Sequence, residues 1–348
     1  MLTRESLQLK SGDLTEVLCY QPDGTDVPDM IASLWDMVIR PRDPWISRVE
    51  TLYFSRMLAG ELAETNDDVS YSIWLDGRPA AHVAMQRARN YREAGLVSYV
   101  MTDPDFRGMG LCHLLMERMM DDFWAEGGSY ALLGTGNPVA HAIYRQYGFG
   151  DYNGHVMRYL SDTVQADNVD ADYFAHHGPA VARPGGWGDA PRVAWLYAKP
   201  SEWFVKDYLE ALYGHPAIEH TRCGSVLPSM MVNTEERGGG LWVLETGDRR
   251  LVGAATLTYF DQTGQSTAPV IDFLVVPDYL GQADTLLHCA IGAAETTGAR
   301  FVRAYLAACD TEKADIVQQM GFRHEALLEG QFRAGDDACD LHVYTYVL

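Results

Sequence analysis

No apolar run in this 348-residue chain approaches the roughly 18 residues that a membrane-spanning helix requires. Its first residues, MLTRESLQLKSGD, lack the apolar core of a secretory signal, so a cytoplasmic location is the expectation. Cysteine is sparse. Cys19, Cys112, Cys223, Cys289, Cys309 and Cys339 are scattered without a CxxC pair or zinc-like spacing, which predicts neither a disulfide framework nor a metal cluster. Basic residues are also few: 27 against 48 acidic ones leave a formal charge of -21. That charge repels phosphate backbones and anionic lipid, so nucleic acid and membrane surfaces are not expected partners, whereas cationic molecules are favoured. The same acidity also serves plain solubility.

What is present is material for a folded core, with 47% hydrophobic residues, 19 Tyr and 8 Trp. The length suits two domains of about 170 residues each. Apolar residues at helical spacing predict helices within 28–64. SYSIWL and PAAHVAMQRA flank an Asp76-Gly77 turn and predict a hairpin, and GLVSYVMT adds a third strand. The loop PDFRGMG then opens into the amphipathic segment LCHLLMERMMDDFWAEG, which stops at Gly127-Gly128. SYALLG reads as a short strand, PVAHAIYRQYG as a helix with Pro138 in its first turn, and HVMRYL as a strand. Residues 161–191, rich in Asp, Gly, Pro and Ala, read as an interdomain linker.

Beyond it the order of elements returns. SEWFVKDYLEALYG predicts a helix, LWVLET and RLVGAATLTYF a hairpin, VIDFLVV a strand, and PDYLGQADTLLHCAIGAAETTG a loop and helix. Pro104-Asp105-Phe106 matches Pro277-Asp278-Tyr279, Gly108 matches Gly281, and Gly148-Phe149 matches Gly321-Phe322, all at one offset of 173 residues. A register held by a proline, glycines and aromatics predicts tandem copies of one fold.

The chemistry concentrates in RGMGLC. A strand, an Arg/Gly loop and a helix bring unpaired backbone N–H groups and the positive end of a helix dipole to one point, which binds phosphate. Gly108 and Gly110 allow close backbone approach, and Arg107 can pair with a diphosphate. A dinucleotide-binding turn would need a third glycine, and residues 108–113, GMGLCH, lack it.

At this point the chain resembles the GNAT superfamily of acyl-CoA N-acyltransferases. The hallmark there is Arg or Gln, two residues, Gly, one residue, then Gly or Ala; Arg107, Gly110 and Cys112 hold those positions, so Cys112 departs from the preferred type. A second signature, an Asn before a helix that carries a Tyr and ends in Gly-Phe, is met by Asn137, Tyr144 and Gly148-Phe149. The resemblance implies two tandem GNAT-fold domains of α/β (α+β) class, each a mixed, mostly antiparallel sheet flanked by helices. It assigns residues 1–160 to an acyl-CoA-binding catalytic domain and 192–348 to a degenerate copy.

It further implies acetyl-CoA as cosubstrate, no metal, and a small-molecule primary amine as acceptor. The pantetheine arm would pair with the backbone at Val100, Met101 and Thr102, the diphosphate would sit on Gly108, Met109, Gly110, Leu111 and Cys112, and Asn137 would bond the pantetheine. Tyr144 would protonate the leaving thiolate; packing on the sheet is its structural alternative. No carboxylate stands at the expected place of the general base, where Tyr99 lies in register with Asp272. Glu93, His82, His141, His155 or a water chain through Ser98 and Tyr99 remain substitutes. In the second copy Arg107, Leu111, Asn137 and Tyr144 become Leu280, Asp284, Asp310 and Val317, which removes contacts and adds carboxylates where an anion would sit. Asp272, Trp242, Tyr259 and Phe260 are candidate linings of an acceptor pocket. A CoA-binding sensor without catalysis, or use of another acyl-CoA, are the competing readings.

Overall fold

The computed structural model describes all residues except 10–11, 13, 24–27, 42–43, 163, 165–168, 202, 208–211, 215–225, 260–267 and 335–336. Phe260 and Cys223 lie outside the described residues. The chain divides into two compact units: Met1–Ala166 with Trp187–Ala194 and His220–Pro228, and Asp167–Gly186 with Trp195–Glu219 and Ser229–Leu348.

The first unit is built on an eight-stranded sheet of order β1-β2-β3-β4-β5-β6-β8-β7. Its strands are β1 (Leu2–Gln8), β2 (Leu14–Tyr20), β3 (Val69–Leu75), β4 (Arg78–Ala88), β5 (Tyr91–Thr102), β6 (Tyr130–Gly134), β7 (Phe149–Asn153) and β8 (Val156–Leu160). The helices are α1 (Pro28–Val38), α2 (Pro44–Leu58), α3 (Leu111–Ala125) and α4 (Pro138–Arg145). The Asp76-Gly77 turn takes positive φ at both residues, 49° and 76°, as a tight hairpin between twisted strands demands.

Helix α3 buries Leu111, Leu115, Met116, Met119, Met120 and Phe123, a stripe at helical spacing, against Val17, Ile73, Val83, Met85 and Val97 of the sheet. Each such side chain contributes about 1.5–3 kcal/mol by leaving water. The contact is close enough that a Cβ added at Gly128 would lie 2.3 Å from the Phe123 ring.

Seven strands make the second sheet, in the order β16-β17-β15-β14-β13-β12-β9. They are β9 (Ala180–Pro184), β12 (Gly240–Thr246), β13 (Leu251–Thr258), β14 (Val270–Val275), β15 (Phe301–Ala307), β16 (Arg323–Ala334) and β17 (Asp337–Val347); β10 (Val205–Asp207) and β11 (Leu212–Gly214) form a separate pair. The helices of this part of the chain are α5 (Val169–Phe174), α6 (Ala190–Ala198), α7 (Val226–Glu236), α8 (Ala283–Thr296) and α9 (Thr311–Gln319), with α6 and α7 divided in sequence between the two units. Read from the other edge, β9-β12-β13-β14-β15-β17-β16 repeats β2-β3-β4-β5-β6-β8-β7. Both sheets are antiparallel apart from one parallel pair, β5 with β6 and β14 with β15. The fold is α/β with tandem domains.

The segment 161–191 contains α5 and β9, and β9 pairs antiparallel with β12. The helix expected over 201–214 is not formed: the described residues there include the antiparallel pair β10 and β11. Tertiary demand overrides helix propensity at this point. Trp203 packs edge-on against Phe273, with centroids 5.6 Å apart, while the Phe204 N–H donates to Asp310 and its carbonyl accepts from Lys313, so neither backbone group serves a helix ladder.

Candidate active site

The parallel pairing of β5 with β6 runs only through Ala94↔Tyr130, Gly95↔Ala131 and Leu96↔Leu132, after which the strands diverge. Beyond Leu96 the side of β5 that faces β6 has no strand partner there. The resulting cleft has a volume of about 500 Å³. Val100, Met101 and Thr102 form one wall, Arg107, Gly108, Gly110, Leu111 and Cys112 one end, and Asn137 and Tyr144 the opposite wall.

The loop at the end of the cleft is held from below. Phe106 is buried in the core, Arg78 lies 4.6 Å over its ring, and the same guanidinium pairs with Asp103 (3.2 Å) and Asp105 (2.7 Å). Gly108 and Gly110 then take φ of 81° and 83°, a left-handed conformation costly for other residues. Gly110 is the N-cap of α3 and makes no side-chain cap, so the first amides of the helix, from Leu111 onward, carry no capping oxygen. Left-handed turns followed by uncapped amides form a concave anion site. Arg107 is exposed, bonds only weakly to the Thr102 carbonyl (3.4 Å), and ion-pairs with none of the described residues. Its charge is available to a ligand.

The facing wall is α4. Asn137 adopts extended dihedrals and its Oδ1 accepts the Val139 N–H at 2.9 Å, with Pro138 opening the helix; this cap leaves the side-chain NH2 as the group able to face the cleft. Tyr147, just past the end of α4, donates to the His113 carbonyl of α3 at 2.8 Å. Tyr144, 5% exposed, packs against Phe149 with centroids 6.3 Å apart, and its hydroxyl hydrogen-bonds to none of the described residues. Burial, and then the neighbouring Cys112, push its pKa well above the usual phenol range, so it holds its proton at neutral pH. Burial raises the Cys112 thiol to about 11.

Of the residues expected at the cofactor, Met109 alone is absent from the cleft; it packs against the hydrophobic core. The sequence reading missed Phe106, His113, Val139, Ala140 and Ile143, which also line it. Val139, Ala140 and Ile143 share the helical face of Tyr144, and Val139 is 68% exposed, an apolar surface left for a ligand to cover. Glu93, His82, His141 and His155 do not line the cleft. His141 bonds to Asp151 (2.6 Å). His82 is fully buried: its Nδ1–H donates to the Tyr99 carbonyl at 2.8 Å, and its Nε2 lies 2.9 Å from Ser70 Oγ. Tyr99 has φ of 55°, and such backbone costs of order 1–3 kcal/mol, which this clamp helps to hold.

Residues 32–149 match the Acetyltransferase (GNAT) family. The first unit contains a GNAT-family domain. No curated protein matches the chain. Solved structures similar to it include the spermidine/spermine N-acetyltransferase from Vibrio cholerae, at 16% identity and TM-score 0.37, covering 49% of this chain and 92% of that one. Another is ribosomal-protein-alanine N-acetyltransferase from Brucella melitensis, at 16% identity and TM-score 0.40, over 48% and 99%. A third is a GNAT superfamily phosphinothricin acetyltransferase from Sinorhizobium meliloti in complex with AcCoA, at 13% identity and TM-score 0.40, over 49% and 89%.

The cleft of the GNAT domain has a counterpart in the second unit. There β14 and β15 pair only at Val270↔Arg303 and Ile271↔Ala304 before diverging. Lys313, in register with Ala140, points into that gap and bonds to Asp272 (2.5 Å) and the Phe204 carbonyl (2.9 Å), with its ammonium 5.1 Å from the Phe273 ring centre. Both charged side chains are almost fully buried. Asp272, a candidate lining of an acceptor pocket, is thus paired within the core. Tyr259 bonds to Thr297 and Trp242 is half-buried. The turn before α8 differs too: Pro277–Gln282 is a 3-10 helix that runs directly into α8, and none of its residues has positive φ. Asp310, in register with Asn137, has a pKa raised to about 6 by burial, against the opposing pull of Lys313.

No helix among the described residues is long and apolar enough to cross a membrane. Among the described residues no group of three or more His, Cys, Asp and Glu side chains is placed to hold a metal ion.

Proposed function

We propose that the protein transfers an acetyl group from acetyl-CoA to a primary amine of a small, cationic molecule or peptide, by direct attack within a ternary complex. The carrying observation is the cleft itself: an uncapped helix start with two left-handed glycines at one end, an unpaired strand edge along one wall, and a protonated Tyr144 on the other. The diphosphate would rest on the amides of residues 108–112, with Arg107 as its counter-charge. The pantetheine would extend along Val100, Met101 and Thr102 as an added strand and meet the Asn137 amide. Tyr144 would donate its proton to the departing thiolate. The net acidity of the chain favours a cationic acceptor. The second unit acts without bound CoA, because Lys313 and Asp272 occupy the equivalent gap and its turn lacks the left-handed residues.

Calorimetry with acetyl-CoA, followed by a mass-shift screen of amines, tests this reading. The panel includes spermidine, phosphinothricin and an alanine-terminated peptide, the acceptor chemistries named for the similar structures. Binding of acetyl-CoA with acetylation of at least one amine supports it; absence of heat sinks it. Arg107→Ala should weaken acetyl-CoA binding roughly 10-fold with kcat nearly unchanged, and the deficit should shrink at high salt, since an exposed guanidinium contact is screened.

A further inference from the structure

Two of the scattered cysteines meet in the fold of the second unit. Cys309 follows β15 in the turn that leads into α9, and Cys339 lies 30 residues further on, in β17. The antiparallel pairing of β15 with β17 runs in constant register to Ala307↔Leu341, and one step on the Ala308 N–H donates to the Asp340 carbonyl at 2.9 Å. Continued by one more residue, that register sets Cys309 opposite Cys339. Antiparallel positions alternate between hydrogen-bonded and non-hydrogen-bonded pairs, so the bond at Ala308 makes the two cysteines the second kind, in which side chains approach most closely. Their Sγ atoms are 3.9 Å apart. The Cα atoms of such a pair stand about 4.5 Å apart, within the range of about 4.4–6.8 Å that a disulfide spans.

Access and surroundings decide what the pair can do. Cys309 is exposed and Cys339 half-buried, so a small molecule in solvent reaches the first sulfur while the second stands beside it. Among the described residues no set of three or more His, Cys, Asp and Glu side chains is placed to hold a metal, so the two sulfurs are better suited to bonding each other than to ligating an ion. Partial burial, and then the charge of Asp310 beside it, push the Cys309 thiol up to about 11. Its thiolate is scarce at neutral pH, which makes exchange slow, and a thiol of high pKa is a slow leaving group when such a bond is reduced. The junction itself carries weight in the fold: Asp310 accepts the Phe204 N–H at 2.9 Å and opens α9, whose Lys313 fills the gap beside β14.

We propose that Cys309 and Cys339 form a modification site, closing to an intramolecular disulfide on reaction with a low-molecular-weight disulfide, and that this bond stabilises the second unit. The Cys309 thiolate attacks one sulfur of the small disulfide, whose S–S bond breaks; a mixed disulfide forms and one small thiol departs. The Cys339 thiolate then attacks the Cys309 sulfur, the Cys309–Cys339 bond forms and the second small thiol leaves. The protein has given up two electrons and two protons, and the small disulfide has taken them up as two thiols. The closed loop runs from the start of α9 through the hairpin of β16 and β17. Its two ends already face each other in the folded chain, so the bond acts chiefly by restricting the unfolded one. The site stands on its own geometry and does not depend on acetyl transfer.

The test uses the full-length protein, first reduced and then held with oxidised glutathione, with free thiols blocked by iodoacetamide before peptide mass mapping. Wild type should yield a cross-linked pair of peptides containing Cys309 and Cys339, lighter by two hydrogens than its separate parts and released by dithiothreitol. The melting midpoint of the second unit should rise by roughly 5 °C or more on oxidation, as closure of a loop of this length predicts. Cys309→Ser and Cys339→Ser, which keep size and polarity, should melt like the reduced wild type before and after the same treatment. Cys339→Ser should also accumulate a glutathione adduct on Cys309, the sulfur attacked first. Separate alkylation of the two thiols, glutathione adducts that never resolve to the bridge, or a bridge from either cysteine to a different thiol would each overturn the site. A bridge formed with no rise in the midpoint would overturn its stabilising role.

Discussion

Tyr144→Phe should reduce kcat for acetyl transfer by roughly 100-fold or more while leaving the KM for acetyl-CoA within a few-fold of wild type. The substitution keeps the ring that packs on Phe149 and removes only the hydroxyl, which bonds to none of the described residues. Folding stability therefore changes little, and a thermal melt should show nearly the same midpoint. The phenol is pushed above its ordinary pKa by burial, so its acid form persists through the whole range in which the enzyme can be assayed. Activity should consequently show no alkaline loss attributable to Tyr144. Unchanged turnover in Tyr144→Phe would reduce this residue to a packing role and leave the leaving thiolate to solvent.

The readability of this site in the sequence followed from how local its signals are. Asn137 is a helix cap, Pro138 a first-turn residue, and Gly108 and Gly110 left-handed positions, each a property of a few consecutive residues. Strands β3 to β6 were legible for the same reason, with an Asp-Gly turn and alternating apolar runs. Strand β1 was not: it is largely exposed, and TRESLQL carries no apolar alternation. Met109 was assigned to the cofactor through its backbone amide, as one of residues 108–112, and its side chain packs against the core. The buried Asp68 left no trace in any motif, since its hydrogen bond comes from Tyr53 on a helix meeting it just ahead of β3. Sequence order holds no record of that meeting. The 173-residue register reached further than any local pattern, placing Asp272 opposite Tyr99 and Asp310 opposite Asn137. The same offset sets Lys313 opposite Ala140, but only the structure shows that lysine bonded to Asp272 and so filling the second gap.

That filled gap leads to the largest expected effect on stability. Lys313→Ala would leave Asp272, 4% exposed, as an uncompensated buried charge, and breaking such a pair costs about 3–5 kcal/mol. Urea unfolding of the full chain should register this, with an early change in the fluorescence of Trp203, whose ring lies 5.8 Å from the Lys313 ammonium. Replacing both partners, Lys313→Met with Asp272→Leu, should recover most of the loss, because an apolar pair of similar volume avoids desolvating two ions. A double variant as unstable as the single one would mean that the Phe204 carbonyl, also bonded to Lys313, is the contact that matters. Neither variant should gain a second acetyl-CoA site. The turn before α8 has no left-handed residue, and Asp284 in the first turn of that helix repels a diphosphate. Calorimetric stoichiometry should stay at one acetyl-CoA per chain; a value of two in Lys313→Ala would show that the ion pair alone had kept the second cleft from its ligand.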